Sequence, residues 1–174
     1  MNQCLIVVDM QNDFIDGALG FEAAHQVIQP IKEKIIHARN NDIDVIFTMD
    51  THQNNYLKTE EGKHLAVKHC IEGSKGHKLN PEIEALRENY DKVFTKPTFP
   101  SLELGNYLKT KSYDTVELCG LVSNICVLSN AVIVKAALDN AHIMVDSKAT
   151  KSFDSSLHEA SLAILEGLHI EIKK

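Results

Sequence analysis

Four side chains suited to nucleophilic or acid–base chemistry occupy matching places along the chain. Asp9 closes the apolar run CLIVVD, Asp50 closes DVIFTMD, Lys96 closes KVFTK, and Cys126 follows TVELCG. If each run is a strand of one parallel sheet, all four meet beyond the carboxyl ends of the strands, where ligands bind in open sheets of this kind. Cys126 opens a helical run that Ser123 is placed to cap. Unpaired N–H groups and the helix dipole there favour an anion, and a nearby ammonium adds to the effect, so the expectation is a thiol with a lowered pKa. A nucleophilic thiol needs a proton acceptor and donors for the oxyanion it creates. Asp9 can accept the proton, Lys96 can hold the charges in place, and the N–H groups after Ser123 can face the oxyanion, a carboxylate–lysine–cysteine version of triad logic. The plainer alternative is a core thiol packed with Val127 and Leu128, since free cysteine is among the most buried residue types. Cys4, Cys70 and Cys119, with neither a helix start nor a charged partner indicated, are read as core thiols.

A second constellation shares Asp50. With His52 and His69 it offers one oxygen and two nitrogens, a set suited to zinc, iron or manganese, and Glu60 or Glu61 can add an oxygen. The alternative is that these are surface histidines of a polar loop. GSKGHK at 73–78 lacks the spacing and the preceding strand of a phosphate-binding loop and reads as a turn. Phe14 and Phe99, near Asp9 and Lys96 in sequence, suit either the wall of a planar-substrate pocket or the core.

Positioning these groups requires six strands, at 4–9, 44–50, 92–96, 115–120, 142–146 and 169–173. Helical patterns lie between them at 22–40, with Pro30 at its start or at a kink, and at 101–111, 122–140 and 155–167, where Ser156 and Glu159 suggest a capping box. Such alternation predicts an α/β fold with a mostly parallel sheet covered on both faces. Residues 51–79 interrupt the rhythm with a long polar stretch holding four histidines. Long irregular segments in compact domains are more often functional than not.

The length of 174 residues suits one domain. A net charge of −6, with Lys and Arg dispersed, provides no basic stripe for nucleic acid. No run of 18 apolar residues is present to span a membrane, and MNQCLIVVDMQND reaches Asp9 too early for a signal-peptide core. A cytoplasmic protein with reduced cysteines is expected.

DMQNDF at 9–14, KPTFP at 96–100 and CGLVSNICV at 119–127 resemble, in order, the three signature regions of the isochorismatase-like cysteine hydrolases, the group that includes nicotinamidases. The resemblance covers nearly the whole chain. It implies a three-layer α/β/α sandwich with a six-stranded, mostly parallel sheet, one domain over 1–174, and a metal-binding insertion at about 51–79. By the same resemblance Asp9 is the general base, Lys96 orients and stabilises charge, and Cys126 forms the covalent intermediate. The Leu121–Val122 bond would be cis, and the N–H groups of Val122 and Cys126 would form the oxyanion hole.

DTH at 50–52 and HCIEGSKG at 69–76 resemble the metal-binding regions of nicotinamidases. That likeness implies Asp50, His52 and His69 as ligands, with Glu61 as a further candidate, around one divalent ion, zinc before iron or manganese. In that family the metal holds the pyridine nitrogen of the substrate. The implied reaction converts nicotinamide or pyrazinamide to the acid and ammonia, a step of pyridine-nucleotide salvage; the alternatives are a related cysteine hydrolase of another small amide and a non-catalytic relative that binds a small molecule. A small planar amide is the expected partner, walled by Phe14, Tyr56 and Phe99, and homo-oligomers are common among members. One departure is plain: where many nicotinamidases place tryptophan and proline before the metal-binding histidine, this chain has Ala66 and Val67, and it has no tryptophan at all.

Overall fold

The computed structural model describes residues 2–174. In chain order the elements are β1 (Gln3–Val8), α1 (Asn12–Ile15), a 3-10 segment (Glu22–Val27), α2 (Ile28–Asn40), β2 (Asp44–Asp50), a 3-10 turn (Tyr56–Lys58), α3 (Glu60–His64), α4 (Pro81–Glu84), β3 (Lys92–Lys96), α5 (Leu102–Leu108), β4 (Thr115–Leu121), a π-helical turn (Ser123–Val127), α6 (Leu128–Ala137), β5 (His142–Lys151), α7 (Ser155–Gly167) and β6 (Glu171–Lys173). The strands form one sheet in the order β3-β2-β1-β4-β5-β6, and every neighbouring pair is parallel.

The apolar run of β1 has no polar face because both faces are covered. Leu5 and Val7 pack with Val27, Ile28, Ile31 and Ile35 on one side of the sheet. Cys4, Ile6 and Val8 pack with Leu104, Leu108, Ala131, Val134 and Leu165 on the other. Period-two alternation thus feeds two separate cores, giving the α/β/α sandwich expected of such a strand. Strand order reverses between β1 and β4, a switch point of the kind beyond whose carboxyl ends ligands bind in open parallel sheets. Asp9 leaves β1 and Cys126 follows β4, one on each side of it. No helix among the described residues is long and apolar enough to cross a membrane.

Several boundaries differ from the sequence expectation. β5 runs on to Lys151, because the β4 register shifts between Leu118 and Gly120 and pairing resumes at Gly120 with Thr150. The helical stretch beginning at 22 divides into the 3-10 segment and α2, with Pro30 in the first turn of α2, where its missing N–H costs nothing. α7 is capped by Asp154, whose Oδ1 accepts from the N–H groups of Ser156 and Leu157, so the capping box starting at Ser156 does not form. Ser123 caps nothing: its hydroxyl pairs with His158 Nδ1 at 2.9 Å.

Gly120 lies in β4 with φ +117, and a Cβ there would collide with the Val8 carbonyl of the neighbouring strand. Both the left-handed backbone and the close approach of β1 at the switch point therefore demand glycine. Gly120→Ala should lower the unfolding free energy by about 3 kcal/mol, from strain plus the clash, as measured by urea denaturation.

Candidate active site

Parallel strands bring the chemical groups together because each lies at a strand's end. The Lys96 ammonium, 1% exposed, stands 2.6 Å from Asp9 Oδ2, 3.4 Å from Asp50 Oδ1 and 3.6 Å from Cys126 Sγ, and donates to the Thr98 carbonyl at 3.2 Å. Asp9 is fully buried and turns out of β1 with φ +47, while the Thr48 hydroxyl donates to its Oδ1 at 2.7 Å. Its other oxygen is left for Lys96 and the thiol. Asn130, four residues beyond Cys126, donates from Nδ2 to the carbonyls of Cys126 and Phe99 and accepts the Ser101 N–H. It ties the π-helical turn to the loop after β3. The Leu121–Val122 peptide is cis.

The electrostatics differ from the sequence expectation in one respect. Burial pushes the Cys126 thiol well up; the Lys96 ammonium opposes this, and Asp9 and Asp50 add to the rise. A helix dipole was expected to lower the value, but the turn is π-helical, lacks a side-chain cap and seats the sulfur in the interior at 5% exposure. Desolvation outweighs it. Burial likewise raises Asp9 above the ordinary carboxylate range, against the pull of Lys96. For Lys96, burial favours the neutral form, but Asp9, then Cys126 and Asp50, hold the ammonium charged. These shifts favour the protonated form of the Cys126 thiol and the charged form of Lys96, and make Asp9 more basic than an ordinary carboxylate.

Around Asp50 Oδ2 lie His52 Nε2 at 3.0 Å and His69 Nε2 at 3.2 Å, and Glu61 Oε1 faces the same two nitrogens at 3.4 and 3.6 Å. One ligand atom from each of the four residues lies within 4.8 Å of the others. The donor set fits a divalent ion on two further grounds. His69 Nδ1 is engaged with the Val67 carbonyl at 2.8 Å, which leaves Nε2 free to ligate, and Glu61 Oε2 is buried without a partner. The second carboxylate is Glu61, while Glu60 sits outside against Lys63 and His64. Burial alone would lower the His52 pKa, yet hydrogen bonds to Asp50 and Glu61 raise it to about 9, so a proton on His52 would compete with a cation for this cluster. Asp50 is lowered despite its burial, chiefly by the two histidines and then by Lys96.

Tyr56 is not an open pocket wall. Its ring is fully buried against His52 and His69, with centroids 4.6 and 5.0 Å away, and its hydroxyl donates to the Leu65 carbonyl at 3.0 Å. It braces the two imidazoles. Phe14 is nearly buried with its ring centroid 5.8 Å from that of His69, whereas Phe99 is 41% exposed on the loop after β3. Thr48 and Asn130 carry no sequence signal beyond being polar residues inside apolar runs, and Gln11 is marked only by its place within DMQNDF. The GSKGHK turn docks on the Gln11–Asp13 segment: Asn12 N–H donates to the Lys78 carbonyl, Asp13 N–H to the Gly76 carbonyl, and Gln11 Nε2 to the His77 carbonyl. Asp13 also accepts the Cys70 N–H, fixing the backbone just after His69.

Residues 3–171 match the family model described as the isochorismatase domain. The chain belongs to the isochorismatase family. A nicotinamidase of Acinetobacter baylyi is 26% identical over 191 aligned positions, spanning 91% of this chain and 87% of its own. The pyrazinamidase/nicotinamidase of Streptococcus mutans superposes with a TM-score of 0.86 at 27% identity, over 98% of this chain and 99% of its own. The Pyrococcus horikoshii pyrazinamidase, solved in complex with zinc, superposes with a TM-score of 0.86 at 21% identity, over 100% and 99%. This isochorismatase-family chain thus joins a candidate metal cluster to a buried cysteine–lysine–aspartate group through one residue, Asp50.

A metal binding at this cluster would have to displace the His52 proton. Apparent zinc affinity should therefore rise by about tenfold per pH unit from about pH 7 until the pH passes about 9. Competition against a chromophoric chelator at several pH values measures this, and a flat profile would remove His52 from the ligand set.

Proposed function

We propose that this protein is a metal-containing cysteine amidohydrolase that converts nicotinamide, or the analogue pyrazinamide, to the corresponding acid and ammonia through a thioester on Cys126. The observation that carries the reading is the contact of Lys96 with Asp9, Cys126 and Asp50 at 2.6, 3.6 and 3.4 Å, which joins a nucleophile and its base to a candidate metal cluster. The likeness to the nicotinamidase of Acinetobacter baylyi and the pyrazinamidase/nicotinamidase of Streptococcus mutans supports the amide substrate. The setting is pyridine-nucleotide salvage in the cytoplasm.

In this reading the thiol proton passes to Asp9 as Cys126 Sγ attacks the amide carbonyl. Asp9 is suited to accept it because burial keeps its carboxylate more basic than usual. Lys96 stays charged throughout and stabilises both the carboxylate and the emerging thiolate. The N–H groups of Val122 and Cys126 receive the oxyanion. Asp9 then protonates the departing nitrogen, ammonia leaves, and the acyl group remains on sulfur. A water deprotonated by Asp9 attacks the thioester; the acid departs, and the proton returns to sulfur.

Asp50, His52, His69 and Glu61 would hold one divalent ion, zinc first, which supplies a Lewis-acid anchor for a ring nitrogen. Phe14 and Phe99 are the remaining candidates for ring contact. A site without tryptophan offers less stacking surface, so a second small amide is the alternative substrate.

Purified protein loaded with zinc should release ammonia from nicotinamide. Cys126→Ala should remove this activity by about a thousandfold or more while leaving bound zinc at the parental level, and Asp9→Asn should lose it as well, with its fold checked by circular dichroism because Lys96 then keeps only Asp50 as a counterion. Coupled ammonia assay and metal analysis check both; turnover surviving in Cys126→Ala would end the thioester reading. If the zinc-loaded parent releases ammonia from other small amides but not from nicotinamide or pyrazinamide, the chemistry stands and the substrate changes.

A further inference from the structure

β2 loses its neighbour just where its most consequential residue begins. The β1–β2 ladder pairs Val8 with Thr48, and the Asp9 N–H donates to the Thr48 carbonyl at 3.1 Å. With φ +47 at Asp9 the chain then turns away. Alternation along a parallel strand aims the N–H and C=O of Asp50, two residues past Thr48, at the same side. On the opposite edge β3 is still present, with Asp50 in register with Lys96 and the Thr51 N–H donating to the Lys96 carbonyl. On the β1 side no backbone remains to meet Asp50.

The side chain of Gln11 fills the gap. Its Oε1 accepts the Asp50 N–H at 2.7 Å, and its Nε2 donates to the Asp50 carbonyl at 2.8 Å and to the His77 carbonyl at 2.7 Å. The residue is fully buried. An amide reproduces the donor–acceptor pair of a strand backbone, so the carboxamide continues the sheet edge by one position. Without it, two buried backbone groups of Asp50 lose their partners at the point where its carboxylate must face His52 and His69 through one oxygen and Lys96 through the other.

We infer that Gln11 is a positioning residue for Asp50, standing in for the missing β1 backbone and thereby setting the affinity of the metal cluster. The inference rests on Asp50 being a ligand, as in the function proposed above. Groups outside the first coordination sphere that orient a ligand typically change metal affinity by about 10–100-fold when removed.

The test is zinc affinity of the full chain, by competition with a chromophoric chelator, for the parent, Gln11→Met and Asn12→Ala. Gln11→Met keeps the length of the side chain and removes the amide. Asn12→Ala removes a neighbouring stitch, from Asn12 Nδ2 to the Lys75 carbonyl, that does not touch Asp50. The expected result is a zinc dissociation constant raised by about 10–100-fold in Gln11→Met and unchanged in Asn12→Ala, with ammonia release by Gln11→Met recovering as free zinc is raised to saturation. Equal affinity in the parent and folded Gln11→Met overturns the role of Gln11, and so does an equal loss in Asn12→Ala, which would mark a general effect of the loop. A parent that binds no zinc instead refutes the metal reading itself. Should Gln11→Met not fold by circular dichroism, Gln11→Asn, which keeps an amide too short to reach both groups of Asp50, decides the same comparison.

Discussion

The interaction on which the rest depends is the ion pair between Lys96 and Asp9, two charged groups held almost wholly out of water. Placing an unpaired charge in such an interior costs several kcal/mol, so each partner is tolerable only while the other stays in place. That condition reaches far along the chain. It requires β1 and β3 to end at the same level although β2 lies between them, and it requires Thr48 on β2 to satisfy the remaining oxygen of Asp9. A shift of one residue in the β1–β2 ladder would part Asp9 from Lys96 and leave its buried carboxyl without that counterion.

Asp50 extends the same arrangement outward. One carboxylate oxygen belongs to the lysine side and the other to the imidazole side, so the two chemical clusters are neighbours with a common member. Fixing that member costs unusual structure nearby: a left-handed aspartate at the end of β1, a glutamine acting as backbone, and a long loop whose turn at 73–78 is sewn onto Gln11, Asn12 and Asp13. What reads in the sequence as a featureless turn is thus the outer support of the site.

The legible parts of the molecule were those governed by local pattern. Strands covered on both faces announce themselves as unbroken apolar runs, and a charged residue ending such a run can hardly avoid the sheet edge; hence the sequence alone places Asp9, Asp50 and Lys96 together. The direction of the Cys126 shift could not be read this way, because it depends on how deeply the π-helical turn is seated, a property of packing. Tyr56 shows the same limit: its type suggested stacking on a substrate, yet its ring is spent on the two histidines. The roles of Gln11 and Asn130 depend on backbone groups left open by distant segments, which no spacing rule records. Glu61 over Glu60 was decided by which face of the short helix α3 turns inward.

The thiol at 5% exposure has a kinetic consequence. A reagent that alkylates sulfur reaches Cys126 readily only when the surrounding segments part, so its labelling rate reflects those openings together with the intrinsic reactivity of the sulfur. The same enclosure sorts visitors by bulk: a flat single ring asks for a small excursion, a peptide chain for a large one. Geometry alone thereby shields the Cys126 sulfur from bulky reagents.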